Sequence, residues 1–131
     1  MEQTYIMLKP DAFARGLVGE ILARIERKGY RFVRMQTMHL TPEILREHYA
    51  HVADKPFYPA MEEYMMSGPV LAMIVEGENA IEGMRHIMGA TKNAAPGTIR
   101  GDWAFSTSKN LIHGSDSAEN AQIEIARFFG K

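Results

Sequence analysis

The sequence predicts an α+β fold in which a four-stranded antiparallel sheet is covered by helices. Segments rich in strand-forming residues alternate with segments whose apolar residues recur at helical spacing. When the short inserted pieces are left out, the order of elements is βαββαβ, which is that of ferredoxin-like α/β sandwiches. A chain of 131 residues, 46% of them hydrophobic, can bury one core. We therefore expect residues 1–131 to form a single domain.

The first half of the chain predicts strand, helix, strand and helix in turn. Residues 4–9 form a short strand that Pro10 ends, because the residue before a proline is held extended. A helix that Gly29 ends then buries apolar residues at helical spacing, namely Val18, Ile21, Leu22 and Ile25. Residues 30–40 predict a second strand, whose alternation fails near Met38 and indicates a bulge there.

Residues 41–43, Thr-Pro-Glu, predict the start of the next helix, since they supply a hydroxyl N-cap, a proline and an acid. We expect that helix to contain His48 and Tyr49. The later elements are an irregular loop with two prolines (55–59), a short helix (61–66), a buried strand (70–75), a helix (79–88), a loop (90–103) and a short strand (111–112). A last helix has an inner apolar stripe of Ala118, Ala121, Ile125, Phe128 and Phe129.

The composition excludes several classes of function. The chain has no cysteine, which rules out disulfides, thiolate metal sites and cysteine nucleophiles. The formal net charge is -1 without a basic stripe, so a nucleic acid is not expected as the main partner. The apolar run 69–75 is too short to span a bilayer and no leader is visible, so we expect no membrane association and a cytoplasmic location.

His113 is the first candidate for chemistry. Imidazoles ordinarily titrate near neutrality, so they offer a neutral nitrogen nucleophile at working pH. His113 lies in residues 110–117, Asn-Leu-Ile-His-Gly-Ser-Asp-Ser, ahead of a helix N-terminus where phosphate binds well. Asp116 and Glu119 have capping-box spacing. The alternative is that His113 is a polar loop residue beside an ordinary helix cap.

Other residues could hold a polyphosphate, which requires placed cations and hydroxyls. The candidates are Lys9, Arg85, Thr91 and Arg100, each of which could equally be a solvated surface group. Phe57 is a candidate platform for stacking a base, or else a plug that holds its loop down.

Three further patterns in the sequence are weaker evidence for function. His48 and His51 could form half of a metal site, but no third ligand is apparent nearby. Residues 100–102, Arg-Gly-Asp, match an adhesion tripeptide that also recurs by chance. No phosphate-binding loop of the Gly-x-x-x-x-Gly-Lys-Ser/Thr kind occurs in the sequence.

Together these segments resemble the nucleoside diphosphate kinase family. The matching segments, in family order over essentially the whole chain, are residues 9–20, 48–49, 55–59, 67–70, 88–91, 96–102 and 110–117. The last of them is highly specific. The resemblance implies transfer of the γ-phosphate of a nucleoside triphosphate to a nucleoside diphosphate in a ping-pong reaction through a phosphohistidine on His113, with broad base and sugar tolerance.

The resemblance also implies roles for the other residues. Ser115 and Glu124 match the pair that supports the histidine, and Tyr49 matches the hydroxyl beside it. Lys9 and Asn110 would contact the sugar 3′ hydroxyl, and Lys9 would also lie near the transferred phosphate. Arg85, Thr91 and Arg100 would form a phosphate clamp. His48 would be a flanking phosphate contact, and Phe57 would lie under the base. Mg²⁺ would be held mainly by the nucleotide phosphates, without protein ligands.

The chain departs from the resemblance in two places. The loop 91–96 is shorter than in many members, and the chain stops two residues after Phe129. Both regions contribute to subunit contacts in the family. The resemblance implies a homo-oligomer, with a hexamer expected before a tetramer, and these two departures leave the choice between them open. Two other functions stay open: a catalytically silent binding module on the same fold, and weak nucleic-acid binding as a secondary role.

Overall fold

The computed structural model describes residues 1–130, which build a four-stranded antiparallel sheet in the order β2-β3-β1-β4. The strands are β1 (Glu2–Leu8), β2 (Arg31–Met38), β3 (Val70–Gly77) and β4 (Ile112–Gly114). The helices are α1 (Pro10–Ala14), α2 (Val18–Lys28), α3 (Pro42–His48), α4 (Tyr58–Met65), α5 (Ala80–Met88), α6 (Ile99–Trp103) and α7 (Ala118–Phe129), with a 3-10 turn at Ala50–Val52. This order confirms the predicted ferredoxin-like α+β fold.

Strand β1 lies inside the sheet and is buried on both faces. Its side chains alternate, with Ile6 and Leu8 in one core and Tyr5 and Met7 in the other. Helices α2 and α5 cover the first core, whereas α3, α4 and α7 cover the second. Because both faces are covered, the strand reads as a continuous apolar run in the sequence. Lys9, the residue that follows β1, is partly buried at the end of this strand.

The predicted helix boundaries hold where capping residues mark them. Thr41 accepts a hydrogen bond from the Ile44 backbone at the start of α3, and Gly29 ends α2 with a φ of 111°. Tyr49 is the C-cap of α3 rather than a helical residue. The capping box at Asp116 is wrong, since the N-cap of α7 is Ser117, which accepts from the Asn120 backbone. Ala118 of the predicted inner stripe is exposed.

Two short helices were not predicted. Helix α1 begins at Pro10, where the sequence predicts only the end of a strand, and α6 lies inside the predicted loop 90–103. Thr98 caps α6 by accepting from the Gly101 backbone. Each has five residues, too few to show a helical repeat of apolar side chains.

Two strand details also differ from the prediction. The register of β2 against β3 shifts between Phe32 and Arg34, not near Met38. Strand β4 starts at Ile112 and includes His113, so the histidine is a strand residue rather than a loop residue. In the described part of the chain, no helix has the length and apolar character that a membrane crossing needs.

Candidate active site

A tight turn at Leu111 places His113. The Ile112 N–H donates to the Asn110 carbonyl at 2.9 Å, and Leu111 has a φ of 79°. A bond that spans three residues around a positive φ is a γ-turn, a strained conformation for a leucine. The Leu111 carbonyl accepts from the Lys9 N–H at 2.8 Å. This turn ties the approach to β4 to the end of β1 and sets His113 opposite Met7.

Gly114 follows because the strand packs closely against α5. A Cβ added at Gly114 would lie 2.6 Å from the Met88 sulfur and 3.1 Å from Cδ1 of Ile6. Any larger residue would therefore push β4 away from the core. Glycine next to the histidine is a packing requirement as well as a means of close approach to a ligand.

His113, Glu124 and Ser115 form a hydrogen-bonded chain. Nε2 of His113 lies 2.9 Å from Oε1 of Glu124, and Oγ of Ser115 donates to the same oxygen at 2.6 Å. Burial raises the pKa of Glu124, but the bonds from His113 and Ser115 outweigh burial and hold this pKa below its usual range. An ionised carboxylate accepts only, so Nε2 carries the proton and Nδ1 keeps its lone pair. Nδ1 is therefore the ring nitrogen of His113 that is free to act as a nucleophile.

His48 stands beside His113, with the ring centroids 4.7 Å apart and the planes at 80°. Its side chain is buried, and Nδ1 of His48 lies 2.9 Å from Nη1 of Arg127. Burial lowers the pKa of His48 to about 3, and the neighbouring His113 lowers it further in the same direction. His48 is therefore neutral at working pH and offers a dipole, not a charge.

These groups open onto a cavity of about 620 Å³. Its lining includes most of the predicted site: His48, Tyr49, Arg85, Thr91, Arg100, His113 and Glu124. These residues come from α3, α5, α6, β4, α7 and the loop after α5, so the fold brings together positions spread over most of the chain. Burial, followed by Glu124, raises the pKa of Tyr49 to about 12, which keeps its hydroxyl protonated.

Two arginines are held by backbone carbonyls. Arg100 donates to the Gly89 carbonyl at 3.1 Å and to the Ile112 carbonyl at 2.5 Å, and Arg85 approaches the Gly114 carbonyl at 3.4 Å. Burial lowers the pKa of Arg100 to about 10, and Arg85 acts in the same direction. Within residues 1–130 neither arginine forms an ion pair with a carboxylate, and a polyphosphate could supply that missing anion.

Lys9 and Asn110 form a pair just outside the cavity lining. Nζ of Lys9 donates to Oδ1 of Asn110 at 2.8 Å. Asn110 is also fixed by donating from Nδ2 to the Thr107 carbonyl at 3.0 Å. Burial lowers the pKa of Lys9 to about 8, with Arg100 as the next cause. The structure thus joins the two residues that the resemblance assigns to one sugar hydroxyl.

Phe57 is not brought into the cavity. It precedes α4, its side chain is 55% exposed, and the cavity lining does not include it. An exposed aromatic ring is available to a base, whereas a plug would be buried, so the plug interpretation is wrong. The role of Phe57 as a base platform stays a prediction.

Several lining residues were missed from the sequence, among them Asp116, Asn120 and Arg127. Asn120 donates to Asp116 at 2.5 Å. With Glu124, the residues at 120 and 127 follow helical spacing along one side of α7. That polar stripe next to the apolar one was the available signal, because it lies on the face of α7 that meets the cavity.

Among the described residues, His51 does not join His48 in a cluster of possible metal ligands. Instead, His48, His113 and Glu124 place one ligand atom each within 4.8 Å of one another. Each already has a hydrogen-bond partner, and three arginines line the same cavity, namely Arg85, Arg100 and Arg127. That excess of cations favours an anion over a protein-bound metal.

Comparison with known proteins gives a consistent result. A family model described as nucleoside diphosphate kinase matches residues 2–131. A nucleoside diphosphate kinase of Moorella thermoacetica is 53% identical over 98% of this chain and 94% of its own, and one of Thermus thermophilus is 51% identical over 98% and 96%.

Two solved structures have the same fold. The apo nucleoside diphosphate kinase of Encephalitozoon cuniculi superposes with a TM-score of 0.96 and 45% identity, over 100% of this chain and 90% of that one. The enzyme of Halobacterium salinarum, solved in complex with CDP, gives a TM-score of 0.94 and 46% identity over 99% and 88%.

Proposed function

This chain belongs to the nucleoside diphosphate kinase family and is an enzyme that moves phosphate between nucleoside tri- and diphosphates, and we propose that it does so through a phosphohistidine on Nδ1 of His113. The observation that carries this proposal is the bond from Nε2 of His113 to Glu124, because it leaves Nδ1 as the free nucleophile.

The reaction would have two steps of opposite direction. In the first, the Nδ1 lone pair attacks the γ-phosphorus, the bond to the β,γ-bridging oxygen breaks, and the nucleoside diphosphate leaves with that electron pair. In the second, a terminal oxygen of another nucleoside diphosphate attacks the phosphorus and the P–N bond breaks. Glu124 stabilises the positive ring that exists between the steps, and Ser115 holds Glu124 in place.

The cavity would bind the phosphates through its cations. Arg85 and Arg100 would exchange their carbonyl partners for phosphate oxygens, Thr91 would add a hydroxyl, and His48 would donate an N–H. Lys9 would serve both the transferred phosphate and, with Asn110, the sugar 3′ hydroxyl. Tyr49, as a protonated hydroxyl in the same cavity as His113, would donate to the phosphoryl group during transfer.

Mg²⁺ fits this site as a companion of the phosphates. Glu124, the partly buried carboxylate of the cavity, is already committed to His113 and Ser115, so the described residues offer no protein cage. When bound, Mg²⁺ would neutralise phosphate charge, while its preference for water and phosphate oxygens suits a site with few free carboxylates.

Broad nucleotide use would follow from how the base is held. Stacking on the exposed ring of Phe57 would tolerate every base, since each has a π face. A site that paired hydrogen bonds with a base edge would discriminate strongly instead.

Incubation with γ-labelled ATP in the absence of acceptor tests the phosphohistidine. We expect label that is stable to alkali, lost in acid, and removed by any nucleoside diphosphate, and we expect none in His113→Ala. Label that survives acid would indicate a phosphoserine. An active His113→Ala variant would refute the relay, and an inactive wild type would identify a silent binding module.

A further inference from the structure

Arg127 is a partly buried cation of the cavity without a role in the reaction described above. It lies on α7 one turn after Glu124, with its side chain 14% exposed. Nη1 is 2.9 Å from Nδ1 of His48, and Nε is 3.4 Å from a carboxylate oxygen of Glu47. Arg127 thus connects α7 to the last turn of α3, where His48 is situated.

The contact determines where His48 carries its proton. A guanidinium has donors only, so the His48 nitrogen that faces it must be an acceptor. Since burial lowers the pKa of His48 to about 3, the ring is neutral and has one proton to place. With Nδ1 occupied as an acceptor, that proton resides on Nε2.

The other nitrogen is free for a ligand. Nε2 of His48 has no hydrogen-bond partner within residues 1–130, and His48 lines the cavity with its ring against that of His113. The opposite tautomer would direct a lone pair at the incoming phosphate oxygens and repel them. A fixed Nε2–H attracts those oxygens. Because the ring stays neutral, it adds no positive charge that would compete with His113 for Glu124.

We propose that Arg127 is a positioning residue for phosphate transfer, which holds His48 as the Nε2–H tautomer so that a neutral donor meets the phosphoryl group at His113. The inference rests on the proposed function and adds to it a residue that acts through another side chain. Arg127 itself need not touch the nucleotide.

Imidazole ¹⁵N NMR of His48 tests the first half of the proposal. At pH 7 we expect wild type to show a single Nε2–H tautomer. Arg127→Met keeps the length of the side chain and removes its donors, so the Nδ1–H tautomer should become visible. An unchanged tautomer in that variant would overturn the proposal, whatever happens to activity.

Steady-state kinetics test the second half. We expect Arg127→Met to lower kcat and kcat/KM together by about tenfold, the lower end of what partners that orient a functional histidine contribute. Arg127→Lys should recover part of the loss because an ammonium can still donate to Nδ1. The matched control is Arg46→Met on α3, whose exposed ion pair with Glu62 at 3.6 Å lies away from the cavity; it should match wild type.

A double variant separates an action through His48 from an independent one. In a His48→Phe background, which keeps a ring but no acceptor, Arg127→Met should cause no further loss. Multiplying losses would mean that Arg127 contacts the substrate itself, and would overturn the positioning role. If wild type took no label from ATP, the proposed function would fail, while the NMR result would still decide whether Arg127 sets the tautomer.

Discussion

The surroundings of Lys9 disfavour the charged form of its side chain. Burial lowers its pKa from 10.5 to about 8, and Arg100 lowers it in the same direction. Between those two pH values the unfolded chain binds the proton more tightly than the folded chain does. Stability attributable to Lys9 therefore rises with pH across this window, and the full cost of the charge is present below about pH 8. An ammonium group in this setting suits a residue whose charge a bound phosphate would neutralise.

Replacing Lys9 by methionine should separate stability from activity. We expect Lys9→Met to raise the free energy of unfolding at pH 7 by about 2 kcal/mol, because the charge cost outweighs the lost bond to Asn110. Label transfer to His113 should fall by roughly a hundredfold. Urea unfolding at pH 7 and near pH 11 measures the first effect, which should vanish at the higher pH. A variant less stable than wild type at pH 7 would contradict this account.

Single candidate site residues could be identified from the sequence, but their hydrogen-bond partners could not. The type and segment of His113 indicated a nucleophile, yet the choice of Nδ1 depends on Glu124, eleven residues away on another element. Arg127 was not singled out from the sequence, because its contact with His48 spans 79 positions. Such pairings are properties of helix packing, which leaves no local mark at either residue.

At the scale of elements, β4 depends on the γ-turn at Leu111. The side chains of Leu111 and Leu8 are both fully buried in the same core, but Leu111 has a positive φ and Leu8 does not. Leucine at such a φ stores about 1–3 kcal/mol of strain, which glycine would release. The strain is offset by burial of the side chain and by the bond from Lys9 to the Leu111 carbonyl.

The pair of variants Leu111→Gly and Leu8→Gly tests that strain. Both remove a fully buried leucine from the same core, which costs about 3 kcal/mol or more. We expect Leu111→Gly to lose about 2 kcal/mol less than Leu8→Gly, as measured by equilibrium unfolding in urea. Equal losses would mean that the turn holds no strain.

Elements with a clear repeat were predictable from the sequence, whereas elements set by tertiary contacts were not. Helix α2 buries Ile21 and Ile25 at helical spacing and ends at a glycine, so its bounds could be read directly. Helix α6 is fixed by the cap at Thr98 and by Ile99 entering the core. Neither feature is distinguishable from loop sequence before the sheet is in place.

At the scale of the molecule, the exposed edge of the sheet bears on assembly. Strand β2 is an edge strand of eight residues, most of them exposed, including Val33 at 44% and Met35 at 42%. Apolar residues on an unpaired edge favour pairing with another chain. This edge supports the homo-oligomer that the family resemblance implies.

Charge on that edge should weaken association. We expect the double variant Val33→Lys, Met35→Lys to sediment as a smaller species than wild type in analytical ultracentrifugation, with the hexamer as the wild-type expectation. Met66→Lys is a control of matched exposure, 41%, at the end of α4. A smaller species in the control as well, or none in the double variant, would place the contacts elsewhere.

The topology was predictable because the order of strands and helices admits few ways to cover a sheet on both faces. The site was predictable only as a set of residues, since convergence in one cavity follows from packing. Phe57 illustrates this limit. Its aromatic character is visible in the sequence, but the sequence does not show that the ring lies outside the cavity lining.

The γ-turn also sets a length. It separates Asn110, the proposed sugar contact, from His113 by a compressed segment whose geometry admits little stretch. If Asn110 binds the ribose and Nδ1 receives the phosphoryl group, as proposed, the turn fixes the distance that the phosphate chain between them must span. A nucleotide one phosphate short would fall outside that reach. Labelled enzyme should accordingly release its phosphate to ADP while retaining it in the presence of AMP.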